Sequence, residues 1–141
     1  PLLERALADG SALDVFRRLV KAQGGDVRSI DNPSRLPQSK VQRVALARKS
    51  GYVADIDALA LGKLAIELGA GRTRADQKID PAAGFELSAT IGTRISKGAP
   101  LVTIHATTQA LAQSVEARVA QAITLQAGPP RKRPLVLAKL R

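Results

Sequence analysis

Glycines, among them Gly51, Gly69, Gly71, Gly84, Gly92 and Gly98, cut the stretch from Ser50 to Ala106 into short apolar segments. Glycine enters backbone conformations that other residues avoid, so the chain can turn or stop an element at each of these points. Tyr52, Val53 and Ile56 suit a short strand, and Val41, Val44 and Leu46 suit another just before it, the two joined through Lys49-Ser50-Gly51. Asp57 is placed to cap a helix whose buried face is Leu61, Leu64, Ile66 and Leu68, with Gly69 and Gly71 ending it. Phe85-Glu86-Leu87 reads as a short strand, and Ile91 to Gly98 as a turn, strand and turn feeding a strand from Leu101 to His105.

The flanks are simpler. Residues 11–23 predict a helix capped by Ser11, with Asp14 at the capping-box spacing and Leu13, Phe16 and Val20 on one stripe. Gly24-Gly25 stops it, and residues 26–40, with Pro33 and Pro37 among Asp, Asn and Ser, read as a loop or linker. Residues 72–82 are polar and broken by Pro81. After the glycine-rich stretch, Thr107 or Thr108 caps a last helix with Leu111, Val115, Val119 and Ile123 on one face. Gly128-Pro129-Pro130 ends this helix, and Leu135-Val136-Leu137 reads as a final strand. Strands and helices alternate without a regular βαβ order, so the expected class is α+β.

At 141 residues the chain suits one domain, or one domain and part of another, and can bury roughly two-thirds of its unfolded surface. Only Phe16, Tyr52 and Phe85 are aromatic, so the core must come from Ala, Leu, Val and Ile. The absence of Cys excludes disulfides, thiolate metal sites and thiol nucleophiles, and is compatible with a reducing cytoplasm. No apolar run approaches the ~18 residues of a membrane span, and no secretory leader pattern is present. The start, Pro1-Leu2-Leu3-Glu4-Arg5-Ala6-Leu7, reads as a helix entered partway, and the expectation is a truncated chain. The net charge of +10 lies in the flanks: about +5 before residue 51, about +5 after residue 127, and balance between.

Two blocks resemble a known family. The first is Ala6-Leu7-Ala8-Asp9-Gly10-Ser11-Ala12-Leu13 with Phe16, then Ala22-Gln23-Gly24-Gly25-Asp26 and Leu36-Pro37. The second holds Ser50-Gly51-Tyr52-Val53-Ala54-Asp55-Ile56-Asp57, Leu68-Gly69-Ala70-Gly71-Arg72 and Lys78-Ile79-Asp80-Pro81-Ala82-Ala83-Gly84. It ends in Gly92-Thr93-Arg94-Ile95-Ser96-Lys97-Gly98-Ala99-Pro100-Leu101-Val102-Thr103-Ile104-His105-Ala106. In order and spacing they are similar to the C-terminal part of the thymidine and pyrimidine nucleoside phosphorylases. The resemblance implies that residues 1–37 are the end of a central phosphorylase domain plus linker. Residues 38–141 would then be the C-terminal domain, an α/β-hammerhead of barrel-sandwich type.

The resemblance further implies an enzyme that uses phosphate to split pyrimidine nucleosides into free base and (deoxy)ribose 1-phosphate, as a cytoplasmic homodimer without a cofactor. The phosphate- and pyrimidine-binding motifs of that family lie upstream of this segment, so no catalytic, cofactor-binding or metal residue is carried over to any position here. The chain's partners would be the central and helical domains of the enzyme, and its role structural, stiffening one wall of a cleft. Two other readings stand beside this: a separate binding or scaffold domain of the same fold, and a basic nucleic-acid-binding module.

A phosphate cradle needs backbone N–H groups at a helix start, whereas Gly69-Ala70-Gly71-Arg72 follows a helix, where the dipole has the opposite sign. These glycines are expected to cap and turn. His105 is the single histidine and lacks the companions of a metal site or triad; a structural or surface role is expected, with lining of the domain cleft as the alternative. Asp55 and Asp57 would share a strand face, a spacing open to acid–base chemistry, but Asp57 is also a natural helix cap. Gly92 to Ala106 is also similar to half of a biotinyl or lipoyl carrier domain. Those need an acceptor lysine at a hairpin tip, and Lys78 lacks the neighbouring residues of that signature. Arg131-Lys132-Arg133, with Lys139 and Arg141, could meet nucleic-acid phosphates, yet almost no aromatic surface accompanies them. A solvated tail is the expectation.

Overall fold

A computed structural model of the chain describes residues 2–131 and 136. The chain divides into two compact units, Pro1–Gln38 and Ser39–Arg141.

The first unit is helical: α1 (Leu2–Ala8), α2 (Ser11–Ala22), α3 (Arg28–Asp31) and a 3-10 turn (Pro33–Arg35). The stretch 26–40, read from its composition as a loop, thus contains two short helical turns, with the Asn32 side chain capping the second by accepting from the Ser34 N–H. The cap of α2 also differs from expectation. Gly10, at φ 80°, is the N-cap, and Ser11 is the first helical residue, its N–H donated to Asp9 Oδ1 at 3.0 Å. Glycine allows the left-handed turn that lets α1 and α2 meet, and Asp14 pairs with Arg17 instead of closing a capping box. The Arg28 guanidinium and N–H bind Asp26 and hold its carboxyl well below the usual carboxylate range, with Arg35 adding to the effect. No residue of α1 or α2 is buried, and Phe16 is 50% exposed.

The second unit is α+β. Its elements are β1 (Val41–Leu46), β2 (Gly51–Ile56), α4 (Ala58–Leu68), β3 (Gly84–Leu87), β4 (Arg94–Ile95), β5 (Pro100–Ala106), α5 (Gln109–Gln121) and β6 (Ile123–Gln126). They form two three-stranded antiparallel sheets, ordered β1-β5-β3 and β4-β2-β6. β1 and β2 are neighbours in sequence but belong to different sheets. The turn between them bonds across to the loop before β5: Ala47 N–H donates to Ala99 O, and Ser50 Oγ accepts from the Lys97 N–H. Each half of this segment therefore finds partners that are distant in the chain.

The core gathers Val53, Leu61, Leu64, Leu68, Val102, Ile104, Val115 and Val119 with several alanines, and contains no fully buried aromatic residue. Aliphatic side chains of modest size let the helices approach the sheets closely, which small alanines such as Ala45, Ala106 and Ala112 assist. Ile66, expected on the buried face of α4, is only partly buried. Two expected members of the last helix face are corrected. Leu111 is 36% exposed, with Ala112 filling the buried position one residue on. Ile123 is buried in β6 rather than α5, because the helix ends at Gln121 and the chain turns at Ala122 to pair with β2.

The expected strand Leu135-Val136-Leu137 lies outside the described residues, Val136 apart. Among the described residues no helix is long and apolar enough to cross a membrane.

Candidate functional site

Several polar groups of the second unit meet where β5 ends, near β3 and the segment that precedes it. Register places His105 against Gln42 of β1 on one side and Gly84 of β3 on the other. Its ring is three-quarters buried, with Ser39 Oγ 3.0 Å from Nδ1 and Glu86 Oε2 3.7 Å from Nε2. Ser39 opens the second unit, so the imidazole ties the start of this unit to its central strand. The geometry is that of an anchoring histidine: the hydroxyl is within hydrogen-bond distance, while the carboxylate is beyond it and largely exposed.

Two residues beyond His105, Thr107 donates its hydroxyl to Asp80 Oδ2 at 2.8 Å. The Ala82 N–H donates to the other carboxylate oxygen at 2.9 Å, and the Asp80 N–H donates to Gly69 O at 2.8 Å. The Ala82 N–H first, then the Thr107 hydroxyl, hold the Asp80 carboxyl below its ordinary value; the charges of Lys40 and Lys78 add to this, and burial opposes it. Asp80 thus pins the irregular segment after α4 to the entrance of α5. With each oxygen accepting from a fixed donor and its proton affinity lowered, this carboxylate suits a strut better than a base.

The other singled-out residues fall as follows. Gly69, at φ 101°, ends α4; its N–H returns to Ala65 O and Ile66 O, and the Ala70 N–H returns to Ala65 O. Those N–H groups are spent on helix carbonyls, as in a Schellman-type ending. A Cβ on Gly71 would come within 2.8 Å of Ile66 Cγ1, so close packing of the turn against α4 requires glycine there. Asp57 accepts from the Ala60 N–H at 2.9 Å and caps α4. It stands beyond the end of β2, while Asp55 lies within it, and a register shift separates Val53 from Asp55. Lys78 is exposed on the irregular segment between α4 and β3, not at the tip of a hairpin. Of the basic tail, Lys132, Arg133, Lys139 and Arg141 lie outside the described residues. Among the described residues no three His, Cys, Asp or Glu side chains cluster as metal ligands would.

The sequence reading missed Ser39, Glu86 and Thr107 as partners of this cluster. A single weak signal was present: Thr107-Thr108 carries two hydroxyls where one cap is needed. The structure divides them, Thr108 capping α5 through the Leu111 N–H and Thr107 holding Asp80.

Fold and cluster together define an α+β domain whose half-buried polar groups tie loops and helix ends together. The comparisons with known proteins agree. Residues 52–126 match the pyrimidine nucleoside phosphorylase C-terminal domain. The chain is 38% identical over 139 residues to a pyrimidine-nucleoside phosphorylase of Geobacillus stearothermophilus, covering 99% of this chain and 32% of that protein. It is 42% identical over 108 residues to a pyrimidine-nucleoside phosphorylase of Staphylococcus aureus strain USA300, covering 77% of this chain and 25% of that protein. The chain belongs to the pyrimidine nucleoside phosphorylase C-terminal domain family. It spans about a quarter to a third of the length of the curated relatives it matches.

Proposed function

We propose that this chain is the C-terminal portion of an enzyme that phosphorolyses pyrimidine nucleosides, releasing the base and a (deoxy)ribose 1-phosphate, and that its own role there is structural. The observation that carries this reading is the match over 99% of the chain to about a third of a pyrimidine-nucleoside phosphorylase. Residues 1–37 would belong to the central domain and residues 38–141 to the C-terminal domain, an α/β-hammerhead of barrel-sandwich type. The exposed apolar stripe of α2 supports the first assignment, since Leu13, Phe16 and Leu19 remain 43–50% exposed and suit packing against further protein. The tied-down loops of the second unit support a stiff wall, which would let cleft closure proceed as a rigid-body motion. The complete enzyme would act as a cytoplasmic homodimer, its catalytic, phosphate-binding and base-binding residues all supplied from outside this chain.

The test is phosphate-dependent release of thymine and uracil, followed chromatographically. The protein of full native length should convert thymidine or uridine, and the 141-residue chain alone should release no base. Turnover by the isolated chain, or none by the full-length protein, would overturn the reading.

A further inference from the structure

Among the described residues β1 is the outermost strand of its sheet, so half of its backbone N–H and C=O groups point away from β5. Two adjoining hollows, about 340 and 330 Å³, lie beside it and share Leu46, Arg48 and Ala120. Leu101, Ile123 and Leu125 give the first an apolar lining, and α5 lines the second with Gln113, Glu116 and the small Ala117. The groove therefore has a free strand edge, an apolar floor and a helix wall of small residues. Arg48 and Lys49 line it too, both exposed and neither ion-paired among the described residues. Among the described residues the only carboxylate lining the groove, Glu116, pairs with Arg43.

We propose that this groove is a docking site for an extended segment of a partner protein, in which apolar residues alternate with acidic ones. Backbone groups of such a segment would extend the β1-β5-β3 sheet, supplying most of the affinity. Side chains alternate along a strand, so every second one would meet Leu46, Leu101 and Leu125, and acidic neighbours would meet Arg48 and Lys49. Ala117 and Ala120 leave room for the added backbone beside α5. The chain's own tail has the wrong charge, since residues 128–141 carry basic side chains and no acidic one.

The test uses the full native-length protein and fluorescence anisotropy of a fluorescein-labelled ten-residue peptide alternating valine and glutamate. A valine–lysine peptide is the control. The acidic peptide is expected to bind in the micromolar range and the basic one at least tenfold more weakly. The Ala117→Trp variant, and separately the paired Arg48→Glu and Lys49→Glu variant, should each weaken binding at least tenfold with an unchanged melting temperature. Bound peptide should slow amide exchange in Val41–Leu46. Equal binding of both peptides, binding indifferent to both variants, or unprotected β1 amides would each overturn the proposal. So would a tenfold gain in affinity on deleting residues 131–141, which makes the tail the occupant. A dimer abolished by Ala117→Trp would also overturn it, making the occupant a second copy. Phosphorolysis in the same preparation reports on the enzyme reading separately.

Discussion

Arg118 of α5 holds Glu67 of α4 in a two-pronged pair, Nη1 3.0 Å from Oε1 and Nη2 2.7 Å from Oε2. The Arg118 side chain also donates to Ser114 O within its own helix, so the guanidinium is fixed before it reaches across. Bidentate geometry of this kind sets register between two helices better than a single contact does. The Arg118 hydrogen bonds hold the Glu67 carboxyl below its ordinary value. A carboxylate whose folded pKa is depressed adds stability that is complete above its unfolded pKa and lost as pH falls through the folded value. Urea unfolding should therefore show wild type more stable than Glu67→Gln at pH 7, with the two converging once the pH is well below 4.5. A constant gap across that range would separate the pair from stability.

Two glycines should respond in opposite directions to alanine. Gly51 lies in β2 where a Cβ would approach Gln126 O to 2.6 Å, a backbone atom that cannot swing away. Gly51→Ala is expected to cost about 1–3 kcal/mol by forcing β2 and β6 apart. Gly62 lies inside α4 with nothing within 4 Å of its Cβ position. Gly62→Ala should stabilise the protein by about 0.5–1 kcal/mol through the loss of glycine's unfolded-state freedom. Thermal melts of both variants check this.

Ile104 is fully buried at the centre of the β1-β5-β3 sheet, facing Arg43 and Phe85 in register. Truncation there leaves a cavity that strands on both sides prevent from collapsing. Ile104→Ala should cost about 2–5 kcal/mol, read as a lower urea midpoint.

Asp80 holds the irregular segment that carries Arg72, Arg74 and Lys78, all exposed. Removing its carboxylate in Asp80→Ala should speed tryptic cleavage after these residues several-fold at a temperature where the core stays folded. Thr107→Val, which removes one of the two side-chain anchors, should have a smaller effect in the same direction. Unchanged cleavage in both would show that the segment is held by other contacts.

Most of the elements were legible because their signals are local. Asp57 and Thr108 cap where oxygen-bearing side chains precede apolar periodicity, and Gly69 ends α4 because a left-handed residue is needed there. Where the local signal was ambiguous, the reading failed. Ser11 looked like a cap only because the turn at Gly10, which does that work, carries no side chain to reveal it. Ile123 kept the helical spacing of Val115 and Val119, yet pairing with Ile56 across β2 drew it into a strand. Two short helical turns in residues 26–40 were hidden by proline and polar residues, which favour loops as readily as brief turns.

By itself, the sequence determined the class, an aliphatic core without aromatic support, both ends of α4, and a family resemblance that the comparisons bear out. Those follow from spacing within a few residues, where capping, turns and periodicity act. Only the tertiary structure decided that β1 and β2 part into separate sheets, that His105 meets Ser39, and that Thr107 holds Asp80. It also decided that, among the described residues, one edge of β1 has no strand partner and lies beside Arg48 and Lys49. Such contacts join residues far apart in the chain, and strand register sets them rather than any pattern along it.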